Sequence, residues 1–326
     1  MRLLVVPAFV LSCAVIAYPV HAQPVTLSGL AYIDYEFVFE SNDGNGDNGF
    51  GYRRIYLTAD YRVSELWDGR LRLEMRDDHT SSDGMPVPFV KDFWVRRRNA
   101  FGGGHEIAVG VAPTPVLTVS EAFWGFRSLE KTILDRQGVA PTRDLGLLLR
   151  GRITKDERIR YGLMFANNSG VSAETDLGKR VYAQLEAYPD EHITFTLGGD
   201  YAAATDNVGE AVTANSFLGY STGRSHLGVE AYLRSEDNGG EDFRDRGLAL
   251  FARSKIDERL ELVARFDMAV RDLGVGDGTT NQFFLVGVAI SPDPNVHIIP
   301  NVQVDKVEGV DVATILARIT LHVDIN

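Results

Sequence analysis

A two-residue hydrophobic alternation, renewed segment after segment from Val25 almost to the C-terminus, constrains this chain more than any other feature. In Val25 to Phe39, positions Val25, Leu27, Ala31, Ile33, Tyr35, Phe37 and Phe39 fall on one side, and Thr26, Ser28, Asp34 and Glu36 on the other. Ile55, Leu57, Ala59, Tyr61 and Val63 likewise oppose Arg54, Tyr56, Thr58, Asp60 and Arg62. Near the end, Ala313, Ile315, Ala317, Ile319, Leu321 and Val323 oppose Thr314, Arg318, Thr320, His322 and Asp324. A helix would scatter these apolar residues over several faces, whereas a strand collects them on one.

Soluble sandwiches also alternate, so the connections have to discriminate. The pattern predicts about sixteen strands, at 25–39, 50–63, 70–78, 89–98, 105–112, 143–152, 158–166, 179–188, 192–201, 214–221, 226–234, 246–254, 259–271, 281–291, 296–306 and 312–323. Tight turns such as Pro189-Asp190-Glu191 and Pro292-Asp293-Pro294-Asn295 alternate with longer polar loops such as Ser41 to Gly49 and Ala202 to Thr213. Short turns at one end and long loops at the other are the mark of an outer-membrane barrel, and an even strand number puts both termini at the periplasmic end. Charge recurs on the non-apolar face of most strands, which a packed sandwich core would not tolerate. The fold class expected is therefore all-β: a transmembrane antiparallel β-barrel wide enough for an aqueous channel. The fourth strand (Phe93, Trp94, Val95), the tenth and the fifteenth, which holds Pro300, are the least regular, so counts of 14 or 18 stay open.

On this reading Arg54, Arg72, Arg76, Arg150, Arg160, Arg265 and Arg318 line the lumen, with acidic Glu74, Asp92, Glu121, Glu186 and Glu230 among them. Arginine at lipid-facing Leu262 or Ile315 is expected to cost about 2–4 kcal/mol, and far less at lumen-facing Val263 or Thr314.

One connection, Pro113 to Thr142, is too long to be a simple loop. It carries Phe123, Trp124, Phe126, Leu129, Ile133 and Leu134, which would make a sticky patch on a surface. Folding this third loop into the lumen buries them; a surface lid is the alternative. The charges then offered to a pore constriction are Arg127, Glu130, Lys131, Arg136 and Arg143. Arg127 and Lys131 are four apart, so one helical turn would set both on one face.

Several short motifs share a further likeness: Arg53-Arg54-Ile55-Tyr56-Leu57, Val90-Lys91-Asp92-Phe93-Trp94-Val95, Val109-Gly110-Val111-Ala112-Pro113, Phe123-Trp124-Gly125-Phe126-Arg127 with Ser128-Leu129-Glu130-Lys131, Arg143-Asp144-Leu145-Gly146 and Asn167-Asn168-Ser169-Gly170. Together with the Trp67 turn they resemble the phosphate-selective porin O and P family and its porin-like relatives, over most of the chain and most strongly from about 50 to 200. The resemblance implies a sixteen-stranded, homotrimeric outer-membrane barrel with an inward third loop and basic residues lining an anion path; Arg127 and Lys131 fall in the matching loop. Two departures stand beside it. The dense basic series expected for phosphate is interrupted by carboxylates, and the chain stops at Ile325-Asn326 rather than on an aromatic.

The N-terminus reads as a leader. Arg2, the apolar run Leu3 to Ile16 and Val20-His21-Ala22 form a secretory signal with cleavage before Gln23, leaving 23–326 as one barrel domain. A lipoprotein signal would need cleavage before Cys13, which Val10-Leu11-Ser12 matches only loosely. Removal of 1–22 takes the single cysteine and leaves a net charge of −13, from −12 less Arg2, which argues against nucleic acid as a partner. Of the thirty-three basic residues six are lysine, a bias that habitat or genome composition explains.

Gly44 to Gly49 matches a dinucleotide fingerprint in letters only, since no helix follows it. Asp43, Asn45 and Asp47 are weak calcium candidates in what is otherwise a solvated turn. No metalloprotease or nucleophile-elbow motif occurs, and His79, His105, His192, His226, His297 and His322 lie scattered near strand ends without suggesting a metal cluster. The expectation is a porin for small hydrophilic solutes or anions in the outer-membrane bilayer, with no cofactor and no enzymatic activity. A barrel lipid hydrolase, for which Ser225-His226 is the one adjacent pair, and a hydrophobic-solute transporter are the alternatives; no plug domain precedes the first strand.

Overall fold

The computed structural model describes residues 25–42, 45–205, 209–237, 242–272 and 278–325. The expected leader and Asp43 of the calcium candidate lie outside them. Among the described residues there are sixteen strands: β1 (Val25–Glu40), β2 (Asn48–Arg62), β3 (Trp67–Met75), β4 (Phe89–Arg97), β5 (Glu106–Pro113), β6 (Arg143–Arg152), β7 (Ile159–Ala166) and β8 (Arg180–Ala187) form the first half. The second half is β9 (Ile193–Ala202), β10 (Glu210–Ser221), β11 (Ser225–Asp237), β12 (Asp242–Lys255), β13 (Leu260–Asp272), β14 (Thr279–Asp293), β15 (Val296–Val307) and β16 (Thr314–Ile325). Between β5 and β6 lie two helices, α1 (Pro115–Trp124) and α2 (Ile133–Arg136). Each strand pairs antiparallel with its neighbours in sequence, and β1 closes onto β16 from Gly29↔Ile325 to Glu40↔Ile315. Closure leaves no free sheet edge.

The alternation predicts the faces. Leu57, Leu163, Leu218, Leu250 and Ile319 are exposed on the outside, while Thr58, Met164, Phe217, Ala249 and Thr320 are buried on the inside. Strand ends differ from the sequence expectation. β10, β11 and β12 reach further toward the long loops, through polar residues such as Glu236 and Arg244 that carry no hydrophobic signal but continue the backbone ladder (Glu236↔Phe243, Arg244↔Asp272). β3 starts early, at Trp67. Pro300 does not end β15: pairing to β14 holds one offset on either side, at Gly287↔Asn301 and Ile290↔Ile298.

Two register shifts matter most. Between β1 and β2, Tyr32 pairs with Arg54 and Ile33 with Tyr52, leaving Arg53 as an extra residue. Between β3 and β4, Arg72 pairs with Asp92 and Leu73 with Val90, leaving Lys91 extra. A bulge re-aims the side chains beside it. Here each one turns two consecutive charged residues, Arg53-Arg54 and Lys91-Asp92, away from the apolar outer face. At Gly110 (φ 130°) β4 and β5 approach so closely that a Cβ would lie 2.0 Å from the Phe93 carbonyl oxygen.

Candidate functional site

The connection between β5 and β6 is a packed element. Thr114 Oγ1 donates to the Pro141 carbonyl at 2.6 Å, tying its two ends together. Pro115 at the first helical turn starts α1, and Gly125 in the left-handed region (φ 71°) stops it. Helical spacing then separates two faces. Val116, Leu117, Ser120 and Trp124 are buried, and Thr118, Glu121, Ala122 and Gly125 line an open cavity.

The buried side is fastened to the wall. Ser120 Oγ donates to Glu230 at 2.7 Å, and Asn215 Nδ2 to the Val116 carbonyl at 3.3 Å. Trp124, Phe126 and Leu129 pack with Phe217, Phe251, Phe283, Leu285 and Ile299, and Ile133, Leu134 and Val139 pack with Tyr182 and Tyr232. Arginines take up carbonyls of the turn after α1: Arg53 on Ser128 and Leu129, Arg265 on Lys131, and Arg318 on Leu129. Arg136 reaches Asn281 and Asp305. Residues 113–142 thus touch β7 to β16 and β2.

Opposite lies a cavity of about 380 Å³, bounded by α1 on one side and by β1 to β4 and Arg143 on the other. Its charged lining comprises four cations, Arg72, Lys91, Arg127 and Arg143, and two carboxylates, Glu121 and Asp324. Glu74 and Asp92 are fully buried behind the cations. Lys91 Nζ is 3.0 Å and Arg54 Nε 3.4 Å from Glu74, while Arg143 and Arg72 both pair with Asp92. The carboxylates hold the basic groups in place without facing the cavity. Along the same wall, Arg70, Arg96 and Arg150 with Glu106 line a further cavity of about 280 Å³.

Placement of the residues expected from sequence is mixed. Arg72, Arg127 and Arg143 meet at the first cavity and Arg150 lines the second. Arg54 is buried on Glu74. Arg265, bidentate to Asp267, and Arg318, 2.6 Å from Glu36, are covered by residues 113–142 instead of lining open space. Arg76 follows β3 and pairs with Asp78; Arg160 sits at the short-turn rim beside Glu157. Arg127 and Lys131 do not share a helical turn, because Gly125 ends α1 and α2 starts only at Ile133. Arg127 is held between Glu121 and Asp135. Burial alone lowers its pKa, but the two carboxylates outweigh burial and raise it, so it stays charged. The Glu130 carboxylate turns back onto the Lys131 N–H. In the calcium candidate, Asn45 Oδ1 accepts from the Ser41 N–H at 2.9 Å.

Strict alternation puts Arg53 and Lys91 on the apolar face, and the structure places both inside. Two adjacent charges inside a strand are the available signal, but the signal does not by itself mark a bulge, since Arg96-Arg97 and Asp245-Arg246 pair in unbroken register. The histidines are also less scattered than the sequence implies. His297 and His322 are cross-strand partners, and with Asp324 their ligand atoms lie within 4.8 Å of one another.

The chain matches no protein-family model and no curated protein. Solved structures do share its architecture. OmpF of Salmonella typhi, in complex with daunomycin, is similar with a TM-score of 0.72 at 12% identity, over 93% of this chain and 98% of that one. The outer membrane channel DcaP of Acinetobacter baumannii gives 0.70 at 9% identity, over 92% and 97%. An anion-selective porin from Comamonas acidovorans gives 0.68 at 14% identity, over 93% and 100%. The fold is that of the outer-membrane porins: a closed, sixteen-stranded antiparallel barrel.

Proposed function

We propose that this chain is an outer-membrane porin for small hydrophilic solutes, with a preference for small anions, phosphate among them. The observation that carries the reading is the cavity beside α1, where four cations face two carboxylates while Glu74 and Asp92 stay buried behind them. In a narrow, low-dielectric opening such an arrangement sets ion preference despite the acidic total. The exposed apolar outer face fits a lipid-facing wall. A single segment that reaches strands almost all the way round a closed ring fits one lying inside the barrel and narrowing it. Residues 113–142 then form one side of the constriction and the β1–β4 wall the other. The motif resemblance supports a homotrimer, and a leader cleaved before Gln23 supplies export; an N-terminal mass with residues 1–22 retained would refute that route.

Catalysis is not part of this reading. The lipid hydrolase alternative needs a serine–histidine pair facing lipid. Ser225 Oγ instead lies 2.9 Å from Ser254 Oγ, while His226 rests on Phe123. The closely hydrogen-bonded pair, Ser291 with His297 at 2.7 Å, faces the interior.

The test is reversal potential in planar bilayers across a KCl gradient, on the refolded mature chain. A potential of the sign set by chloride is expected. A folded protein that does not conduct would overturn the channel, and a cation-setting potential would overturn the anion preference.

A further inference from the structure

The short-turn mouth of the barrel holds a cluster that the channel reading does not use. His297 on β15 and His322 on β16 are directly opposed, and their rings stand 5.2 Å apart between centroids. Asp324 is two residues beyond His322 on the same strand face, with Oδ2 3.2 Å from His322 Nε2. That nitrogen is buried and makes no hydrogen bond among the described residues, although a carboxylate lies beside it. His297 is oriented from behind: its Nδ1 meets Ser291 Oγ at 2.7 Å, which leaves Nε2 for a ligand. Tyr32 stands edge-on to the His322 ring at 4.9 Å and fixes its plane. Two imidazoles and a carboxylate, with hydrogen-bonded or packed support, are the donor set of three-ligand sites for borderline divalent ions. The ligand atoms, within 4.8 Å of one another, need to close to about 3.3 Å, a change within side-chain reach. Asp324 also lines the cavity beside α1, so the site opens onto that space.

We propose that His297, His322 and Asp324 bind a borderline divalent cation, Zn²⁺ being the representative, and that the bound ion adds positive charge to the passage. The binding stands independently of the channel reading; only the effect on permeation rests on it. A nitrogen-rich set disfavours Mg²⁺ and Ca²⁺, which take oxygen ligands.

Co²⁺ is the spectroscopic probe. Titrated into the folded mature chain in detergent, it is expected to give visible ligand-field bands that Zn²⁺ abolishes and excess Mg²⁺ does not. His297→Ala and Asp324→Asn, each verified as folded by heat-modifiable migration, should weaken binding by at least roughly tenfold. Absence of the bands, or equal binding by parent and folded His297→Ala, would overturn the site. In bilayers, Zn²⁺ should move the reversal potential of the parent toward anions and leave that of His297→Ala unchanged. Co²⁺ binding with no such movement would overturn the coupling to permeation. Failure of binding in a conducting, anion-preferring barrel would overturn the metal site and leave the channel reading intact.

Discussion

Arg72→Gln isolates one charge of the proposed constriction with little structural disturbance. Arg72 donates to Thr58 Oγ1 at 2.9 Å, lies over the Tyr56 ring and stands 3.4 Å from Asp92. Asp92 keeps Arg143, so the buried carboxylate is not orphaned. A rounded cavity of about 380 Å³ is roughly 9 Å across, so an ion passes about 5 Å from each lining charge, where a unit charge is worth about 0.8 kcal/mol at the dielectric of water. Screening at about 0.1 M salt, with a Debye length near 10 Å, leaves about 0.5 kcal/mol. The effect has opposite signs for K⁺ and Cl⁻, so removing the charge changes their permeability ratio by about 1 kcal/mol, or about fivefold toward cations. Near 1 M salt, where the Debye length is about 3 Å, the change should fall below about twofold. Reversal potentials at both ionic strengths measure it, with Arg160→Gln at the rim as the control expected to change little. An unchanged ratio in a folded, conducting Arg72→Gln barrel would refute the assignment of selectivity to this wall.

Trp124 is fully buried against Phe251 and beneath Arg265, so Trp124→Ala should loosen residues 113–142 by about 3–5 kcal/mol, raising single-channel conductance. An unchanged conductance would mean that the segment does not set the opening. Leu250→Arg, at an outward-facing position near the middle of β12, should cost about 2–4 kcal/mol in urea refolding. Val263→Arg should not be the mild change that its inward position first suggests. Val263 is packed in the Trp124–Phe283 cluster, so a charge there is buried and overpacked, and a refolding loss at least as large as at Leu250 is expected. Gly110→Ala should prevent or strongly slow barrel formation, judged by heat-modifiable migration, because its Cβ would strike the Phe93 carbonyl; normal folding would show that β4 and β5 can separate.

The barrel class and the face of most side chains were legible in the sequence because a strand's side-chain period is two and lipid tolerates little charge on the outer face, whereas the choice of sixteen strands over 14 or 18 came only with closure of β1 onto β16. The break between Pro113 and Thr142 was legible for the same reason: its apolar residues do not fit a solvated loop. The pairing of strands across bulges was not. Alternation assumes an unbroken register, and at Arg53 and Lys91 one extra residue on one strand reverses the faces, which only the partner strand's position reveals. Nor does one-dimensional order show that Arg265 and Arg318 are covered while Arg72 and Arg143 remain at the cavity. That division follows from where residues 113–142 come to rest against the apolar sector of Phe217, Phe251 and Phe283. The meeting of His297 with His322 has the same origin, since β15 and β16 set them side by side across twenty-five positions of chain. Local periodicity determines which way a side chain points; which charges share a space depends on contacts between residues far apart in sequence, and tertiary packing alone decides those.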